Sequence, residues 1–241
     1  LIIDIGGGTS DFSVFERSGD NTRIIVSHGV RVGGTDFDKA ISLAQVMPLL
    51  GYGAEIKNEM GPGTHTAPKA IFNDLASWEK IPFLYTGEMR RLAARFHKLG
   101  VQPELFGRLS DVLEMELGHD IAFAVEAGKI RVNAPDAQDA AIDLRVIEKQ
   151  LWARMSAAQL SAILATHAET IRVAALKTLE MADLTPDQIG QIVFVGGSSL
   201  MGVVESAMVE LFPSAILERT EAFTAVADGL AIAASKGLGK A

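Results

Sequence analysis

The chain opens on an apolar run, Leu1 Ile2 Ile3, followed by Asp4 and Ile5, three glycines, and Thr9 Ser10 Asp11. Apolar and polar positions then alternate through Phe12 Ser13 Val14 Phe15. This pattern predicts a buried strand, a glycine turn and a second strand. Arg23 to His28 predicts a third strand, which ends at a turn around Gly33 Gly34. From Asp36 the apolar positions Phe37, Ala40, Ile41 and Ala44 fall at helical spacing, giving a helix to about Leu50. Gly51, Gly53, Gly61, Pro62, Gly63 and Pro68 then break the periodicity, which predicts a surface loop. Gly87 to Gly100 is amphipathic: Met89, Leu92, Phe96 and Leu99 share one face, and Arg90, Arg91, Arg95 and Lys98 occupy the rest. Such cations usually form a solvated face; the sharper alternative is a docking surface for a partner.

A third helix is predicted from about Ser110 to Ile130, broken or bent near Gly118. Asn133 Ala134 Pro135 Asp136 reads as a turn and Ala140 to Val146 as a short strand. Ser156 Ala157 Ala158 Gln159 is a capping box that opens a long helix to about Met181. Thr185 Pro186 Asp187 Gln188 has the same form, with proline in the first turn. The strand Ile192 to Val195 runs into Gly196 Gly197 Ser198 Ser199 Leu200, and Met201, Val204, Met208 and Leu211 space a further helix.

The chemistry concentrates at the glycines. Gly6, Gly7 and Gly8 lack the Cβ atoms that keep a backbone away from a bulky anion, and they open the positive-φ region that aims successive N–H groups at one point. Thr9 adds a hydroxyl, and Asp4 and Asp11 place carboxylates where a hydrated Mg²⁺ accompanying a polyphosphate would lie. Gly196 to Ser198, between a strand and a helix N-terminus, form a second backbone approach to a ligand. Neither established phosphate loop fits. Gly128 Lys129 is followed by Ile130 rather than Ser or Thr, and Gly6 and Gly8 lead to Asp11 rather than a third glycine.

Other chemistry is thin. The five histidines include no pair at metal-ligand spacing, no serine sits in a Gly-x-Ser-x-Gly elbow, and Trp78 and Trp152 read as packing residues. A formal charge of -8 argues against nucleic acid or an anionic membrane as partner, and the absence of cysteine excludes disulfides. No apolar stretch reaches membrane-spanning length. The default compartment is cytoplasmic.

The two glycine motifs together resemble the actin-like ATPase superfamily, and within it the nucleotide-binding domain of the seventy-kilodalton heat-shock chaperones, the DnaK-like family. Gly33 Gly34 Thr35 Asp36 Phe37 Asp38, the helix Glu126 to Val132 and the closing helix Ala225 to Ala231 support the resemblance. The middle, roughly Met47 to Leu117, is more similar to the shorter YegD-like branch. The resemblance implies an α/β lobe of ribonuclease-H-like type, with a mixed sheet and flanking helices. Residues 1–38 and 151–241 would form the nucleotide-binding core, and 39–150 an inserted, mainly helical subdomain. The family's first lobe, with its own phosphate loop and catalytic lysine, has no counterpart here. The chain is therefore expected to be a second lobe whose parent is an ATPase and which does not turn over ATP alone.

The same resemblance implies ATP or ADP and Mg²⁺ as ligands. Asp4 and Thr9 would be catalytic, and Asp4 and Asp11 would hold Mg²⁺ through water. Gly6, Gly7, Gly8, Thr9, Asp11, Gly33 and Gly34 would grip phosphates. Glu126, Lys129, Asn133, Gly196, Gly197, Ser198 and Leu200 would face the adenosine. By themselves, Glu126 and Lys129 read as an ordinary exposed ion pair. Leu200 stands where the family stacks an arginine on adenine, Ile130 replaces a basic residue, and Thr35 replaces a glutamate. Implied partners are the first lobe and a co-chaperone or exchange factor. Two other functions share the hairpin: a metabolite kinase or polyphosphate hydrolase, and a filament-forming actin-like protein.

Overall fold

The structure is a computed structural model that describes residues 1–18 and 21–219. The closing helix expected at Ala225 to Ala231 lies outside the described residues. In chain order, β1 (Ile2–Ile5), β2 (Ser10–Ser18) and β3 (Asn21–Val30) lead into α1 (Gly34–Ile41). Helical winding then continues as a π-helical turn, Ser42–Val46, and a 3-10 turn, Met47–Leu50. Next come β4 (Glu55–Lys57), β5 (Thr64–Thr66), α2 (Ala70–Leu75) and a 3-10 segment Trp78–Leu84. The helices α3 (Gly87–Leu99), α4 (Pro103–Glu114) and α5 (Gly118–Val132) precede β6 (Asp139–Asp143) and β7 (Trp152–Ser156). The long α6 (Ala157–Met181), β8 (Gln191–Val195), α7 (Gly202–Leu211) and β9 (Ile216–Arg219) complete the order.

The described residues divide into two compact units, 1–34 with 165–219, and Thr35–Leu164. The first is built on a five-stranded mixed sheet of order β3-β2-β1-β8-β9. β1 and β2 pair antiparallel and β2 pairs β3 the same way, whereas β1–β8 and β8–β9 are parallel. Period-two alternation puts Ile3, Ile5, Phe12, Val14, Ile192 and Phe194 in the core. Val204, Met208 and Phe212 of the α7 region, and Ile171, Ala175 and Leu179 of α6, are also buried. Removing these side chains from water, at roughly 25 cal/mol per Å² of apolar surface, is what the sheet contributes to stability.

The second unit is mainly helical, with two small antiparallel hairpins, β4–β5 and β6–β7. Phe106 of α4 is fully buried, edge-on to Phe96 of α3 at 5.9 Å between ring centroids. Its ring lies in the space that Cβ atoms on Gly51 and Gly100 would occupy. The capping box at Ser156 forms as expected: Ser156 N–H donates to Gln159 Oε1 at 2.9 Å, and Gln159 N–H to Ser156 Oγ at 3.2 Å.

Several elements depart from the sequence reading. The stretch after Gly51 is not all loop, because Glu55 to Lys57 pairs with Thr64 to Thr66; these short, mostly exposed strands carry no apolar alternation. The helix expected from Ser110 starts earlier, at Pro103, while its break falls where expected, just before Gly118, at Met115 to Leu117, where Glu116 takes φ 59°. The strand expected to reach Val146 ends at Asp143, whose carboxylate draws Arg145 back into a turn at 2.6 Å. Thr185 opens only one 3-10 turn, Pro186–Gln188. Trp78 and Trp152 are not interior packing residues; they stand 42% and 41% exposed, and Arg145 lies over the Trp152 ring. On the cationic face of α3, Arg90 pairs with Glu116 at 3.0 Å and Arg95 with Glu59 at 2.7 Å, so both are engaged within the unit.

Gly100 has an ordinary negative φ, so only the Phe106 ring and the Phe96 carbonyl oppose a side chain there. Gly100→Ala is expected to cost about 1–3 kcal/mol by overpacking. Gly87→Ala, in the first turn of α3 with only ordinary contact to Arg91, is expected to be neutral or slightly stabilising. Urea unfolding of the two variants checks the contrast.

Candidate functional site

Three glycine segments meet at one end of the first unit's sheet. The β1–β2 register sets Ile5 opposite Ser10 and Asp4 opposite Asp11, leaving Gly6 to Thr9 as the turn, closed by Gly6 N–H donating to Thr9 O at 2.9 Å. Gly34 N–H donates to Gly6 O at 3.0 Å, which fastens the second segment to the first. A Cβ on Gly33 would come within 2.7 Å of the Gly7 and Gly8 backbone, and one on Gly34 would strike Ser198 Oγ. The third segment follows β8, whose Val195 lies beside Asp4 in parallel register. Gly196 has φ 82°, and a Cβ there would lie 2.5 Å from Ile5 O. Gly196 is thus glycine for both reasons at once, the left-handed backbone and the close approach.

The positive φ values expected at Gly6, Gly7 and Gly8 are not found; among the described residues positive-φ glycines are Gly51, Gly53, Gly61, Gly63 and Gly196. The glycines of the hairpin act by size instead. Nothing lies within 4 Å of where a Cβ would stand on Gly7, Gly8 or Gly197, so these three present bare backbone to open space. The junction therefore has closed positions, where backbone rests on backbone, and open ones. Nor does Gly-Gly-Ser lead straight into an α-helix: Gly197–Leu200 form a 3-10 turn before α7 begins at Gly202. Leu200 is 39% exposed.

Asp4 and Asp11 project from the sheet face opposite to Ile3, Ile5 and Phe12, as alternation requires. Directly opposed like charges on antiparallel strands are unfavourable unless a cation joins them. Burial, reinforced by the charge of Asp11, holds the Asp4 carboxyl above the usual carboxylate range. Thr9 Oγ1 donates to Asp11 Oδ2 at 3.3 Å, a long bond that leaves the hydroxyl easily redirected. Two residues that the sequence did not single out shape this corner. Gly29, paired with Asp11 across β2–β3, leaves the space that the Asp11 carboxylate fills. Ser199, fully buried, donates its hydroxyl to Gly196 O at 2.7 Å and so fixes the third turn.

Among the described residues no group of three or more acids or histidines could hold a metal ion. Two carboxylates suffice for Mg²⁺ only when water and ligand phosphates complete its octahedron. The donor set fits that arrangement.

The other predicted residues lie in the second unit, on α5. Glu126 is exposed, and Asn133 is the residue that ends the helix, its N–H donating to Lys129 O at 3.0 Å. Lys129 is not the exposed partner of Glu126. Its side chain is 7% exposed and its Nζ lies 2.8 Å from Asp38 Oδ1 on α1. Burial raises the Asp38 pKa, Lys129 pulls it back down, and Glu126 adds a smaller upward push. Gly128, beside it, admits the Ile142 side chain of β6.

Asp4 binds its proton more tightly folded than unfolded, so the protonated form's stabilisation is complete below the unfolded pKa of about 4 and is lost as pH rises through the folded value. Asp4→Asn is therefore expected to stabilise the ligand-free chain at pH 7, by about 0.2–1 kcal/mol as a like-charge pair is removed. The gain should vanish near pH 3. Thermal unfolding of both proteins across pH 3 to 7 checks this.

A family model described as Hsp70 protein matches residues 116–239, more than half of the chain. The match runs from the start of α5 through the Gly-Gly-Ser turn, and the mixed five-stranded sheet with its helices is that of an actin-like ATPase lobe. Hsp70 proteins are ATP-binding chaperones whose nucleotide is accompanied by Mg²⁺, and among the described residues no helix is long and apolar enough to cross a membrane. The chain belongs to the Hsp70 family.

Proposed function

We propose that this chain is the second lobe of an ATP-hydrolysing chaperone-type protein, of the YegD-like branch, working in the cytoplasm. Its glycine junction grips the phosphates. The observation that carries this reading is the set of open Cβ positions at Gly7, Gly8 and Gly197, on the same sheet end as the opposed carboxylates of Asp4 and Asp11. Backbone N–H groups on bare glycines make short, charge-assisted hydrogen bonds to phosphate oxygens, and no side chain stands in the way.

In this reading Asp4 and Asp11 hold Mg²⁺ through its water shell, and the metal would neutralise charge on the phosphates. The half-buried Asp4 carboxylate orients the attacking water, and Thr9 turns its hydroxyl from Asp11 toward the terminal phosphate. Gly6, Gly33 and Gly34 keep the loop at the right height, because their backbone contacts set its position. In the second unit, which we take as the inserted subdomain, Glu126 offers an exposed carboxylate to the ribose hydroxyls. Lys129 and Asn133 complete that helix face, and the Asp38 pair fixes Lys129 in place. Gly196 and Ser198 shape the turn on the adenosine side. Leu200 covers one face of the base by dispersion, without the cation that an arginine would bring. Family membership favours this reading over the metabolite-kinase and filament alternatives. A first lobe and a co-chaperone or exchange factor are the partners it requires.

Gly8→Leu separates the functional from the structural use of these glycines. A side chain there meets nothing within 4 Å, so folding stability should stay within about 0.5 kcal/mol of the parent sequence. Calorimetric affinity for Mg–ADP should fall at least about tenfold, by about 1.4 kcal/mol, as the phosphate approach is blocked. Unchanged Mg–ADP affinity in a folded variant would remove phosphate binding from this loop.

A further inference from the structure

The second unit contains a cavity of about 370 Å³ between the β4–β5 hairpin and α3. None of the residues that line it belongs to the nucleotide reading, and all of them precede the stretch 116–239 that the Hsp70 family model matches. Its floor is apolar: Ile56 of β4 and Phe96 of α3 are buried, and Leu92 and Leu99 are half-buried beside them. Strand pairing sets His65 opposite Ile56, so both side chains leave the hairpin on one face, and both line the cavity.

The loop that joins the two strands is held in shape by its own hydrogen bonds. Asn58 N–H donates to Gly63 O at 3.0 Å, Asn58 Nδ2 donates to Pro62 O at 2.9 Å, and His65 Nδ1–H donates to Asn58 Oδ1 at 2.8 Å, since an amide oxygen only accepts. Arg95 of α3 reaches Glu59 of the same loop, Nε to Oε1 at 2.7 Å, which ties the loop to the helix. The cavity is therefore formed before any ligand arrives, and a preformed site lowers the ordering cost of binding.

The wall carries a positive charge. Lys57 and Arg95 are opposed by Glu59 alone, so with His65 neutral one positive charge is left over. A guanidinium is a planar fork of several N–H donors, and Arg95 bound to Glu59 through Nε keeps donors for a second carboxylate. An apolar floor beside a positive wall selects a ligand with an apolar body and an anionic head, and it repels an amine of the same shape.

We propose that this cavity binds a small organic carboxylate with a one-ring apolar body, its ring against Ile56, Leu92 and Phe96 and its carboxylate at Arg95. The volume suits a ligand of that size, at the lower end of the range of small-molecule sites. Met60, 91% exposed on the rim, is the adaptable side chain that such a body would cover.

In the chain labelled with methyl-¹³C methionine, the Met60 methyl group reports on the cavity, and Met60→Leu assigns its signal. 3-Phenylpropionate should shift that signal saturably and leave the methyl of Met208, buried in the first unit, in place. The uncharged 2-phenylethanol should bind about threefold to fivefold more weakly, and phenethylammonium at least about tenfold more weakly. Arg95→Gln should weaken 3-phenylpropionate about threefold to fivefold, whereas Glu59→Gln, which releases Arg95 from its partner, should tighten it about twofold. Leu92→Trp, which fills the cavity from α3, should abolish the shift in a protein whose thermal unfolding shows it folded. A non-saturable shift, equal affinity for phenethylammonium, unchanged affinity in Arg95→Gln, weaker binding to Glu59→Gln, or full binding in folded Leu92→Trp would overturn the proposal. Saturating Mg–ADP should leave the affinity for 3-phenylpropionate unchanged; competition between the two would give the cavity to the nucleotide and overturn the proposal as well.

Discussion

The constraint on which the first unit depends is the contact of bare backbone with bare backbone at the end of its sheet. Gly33 rests on Gly7 and Gly8, Gly34 donates to the Gly6 carbonyl, and Gly196 presses on Ile5. A Cβ on Gly33 or Gly196 would meet backbone, and one on Gly34 would strike Ser198 Oγ, so three segments widely separated in sequence are locked into one surface. Sheet pairing sets them up. Parallel pairing of β1 with β8 delivers Gly196 beside the end of β1, and antiparallel pairing of β1 with β2 faces Asp4 with Asp11 on the side away from the core. What the folded chain has not resolved is the charge of those two carboxylates, and the bare glycines beside them leave room for a ligand whose metal would resolve it. Such unrelieved repulsion is a common mark of a site, where stability yields to function.

The second unit depends on a different compromise. Lys129 and Asp38 are removed from water to form an ion pair between α5 and α1, and burial of such a pair costs about as much as its attraction returns. Breaking the pair is the damaging event, because one charge would be left without its counterion. The pair sets the orientation of the α5 turn that carries Glu126.

The sequence makes local features legible. The opening hairpin, the capping box at Ser156 and the amphipathic α3 each rest on residues within a few positions of one another, and all form. The five-stranded mixed sheet agrees with the expected fold class. Features set by distant partners were not legible. Gly29 is indistinguishable from a filler glycine until β2–β3 register places it against Asp11. Lys129 looks like a surface residue on a helix until α1 brings Asp38 to it. The β4–β5 hairpin escapes notice because its strands are short and mostly exposed, with only Ile56 buried. The role of Gly6 to Gly8 is hidden for a related reason: Gly33 rests on the Gly7 and Gly8 backbone, while none of the three takes a positive φ.

The most direct test of phosphate binding by the glycine junction is an amide NMR titration of the ¹⁵N-labelled chain with Mg–ADP and, separately, with adenosine. The structure predicts that Mg–ADP shifts the amides of Gly7, Gly8 and Gly197 strongly, that adenosine leaves Gly7 and Gly8 in place, and that Gly190, equally open but at the far end of β8, moves with neither. Amides at Gly7 and Gly8 that stay fixed while Mg–ADP binds elsewhere, or that move equally for adenosine, would contradict the account.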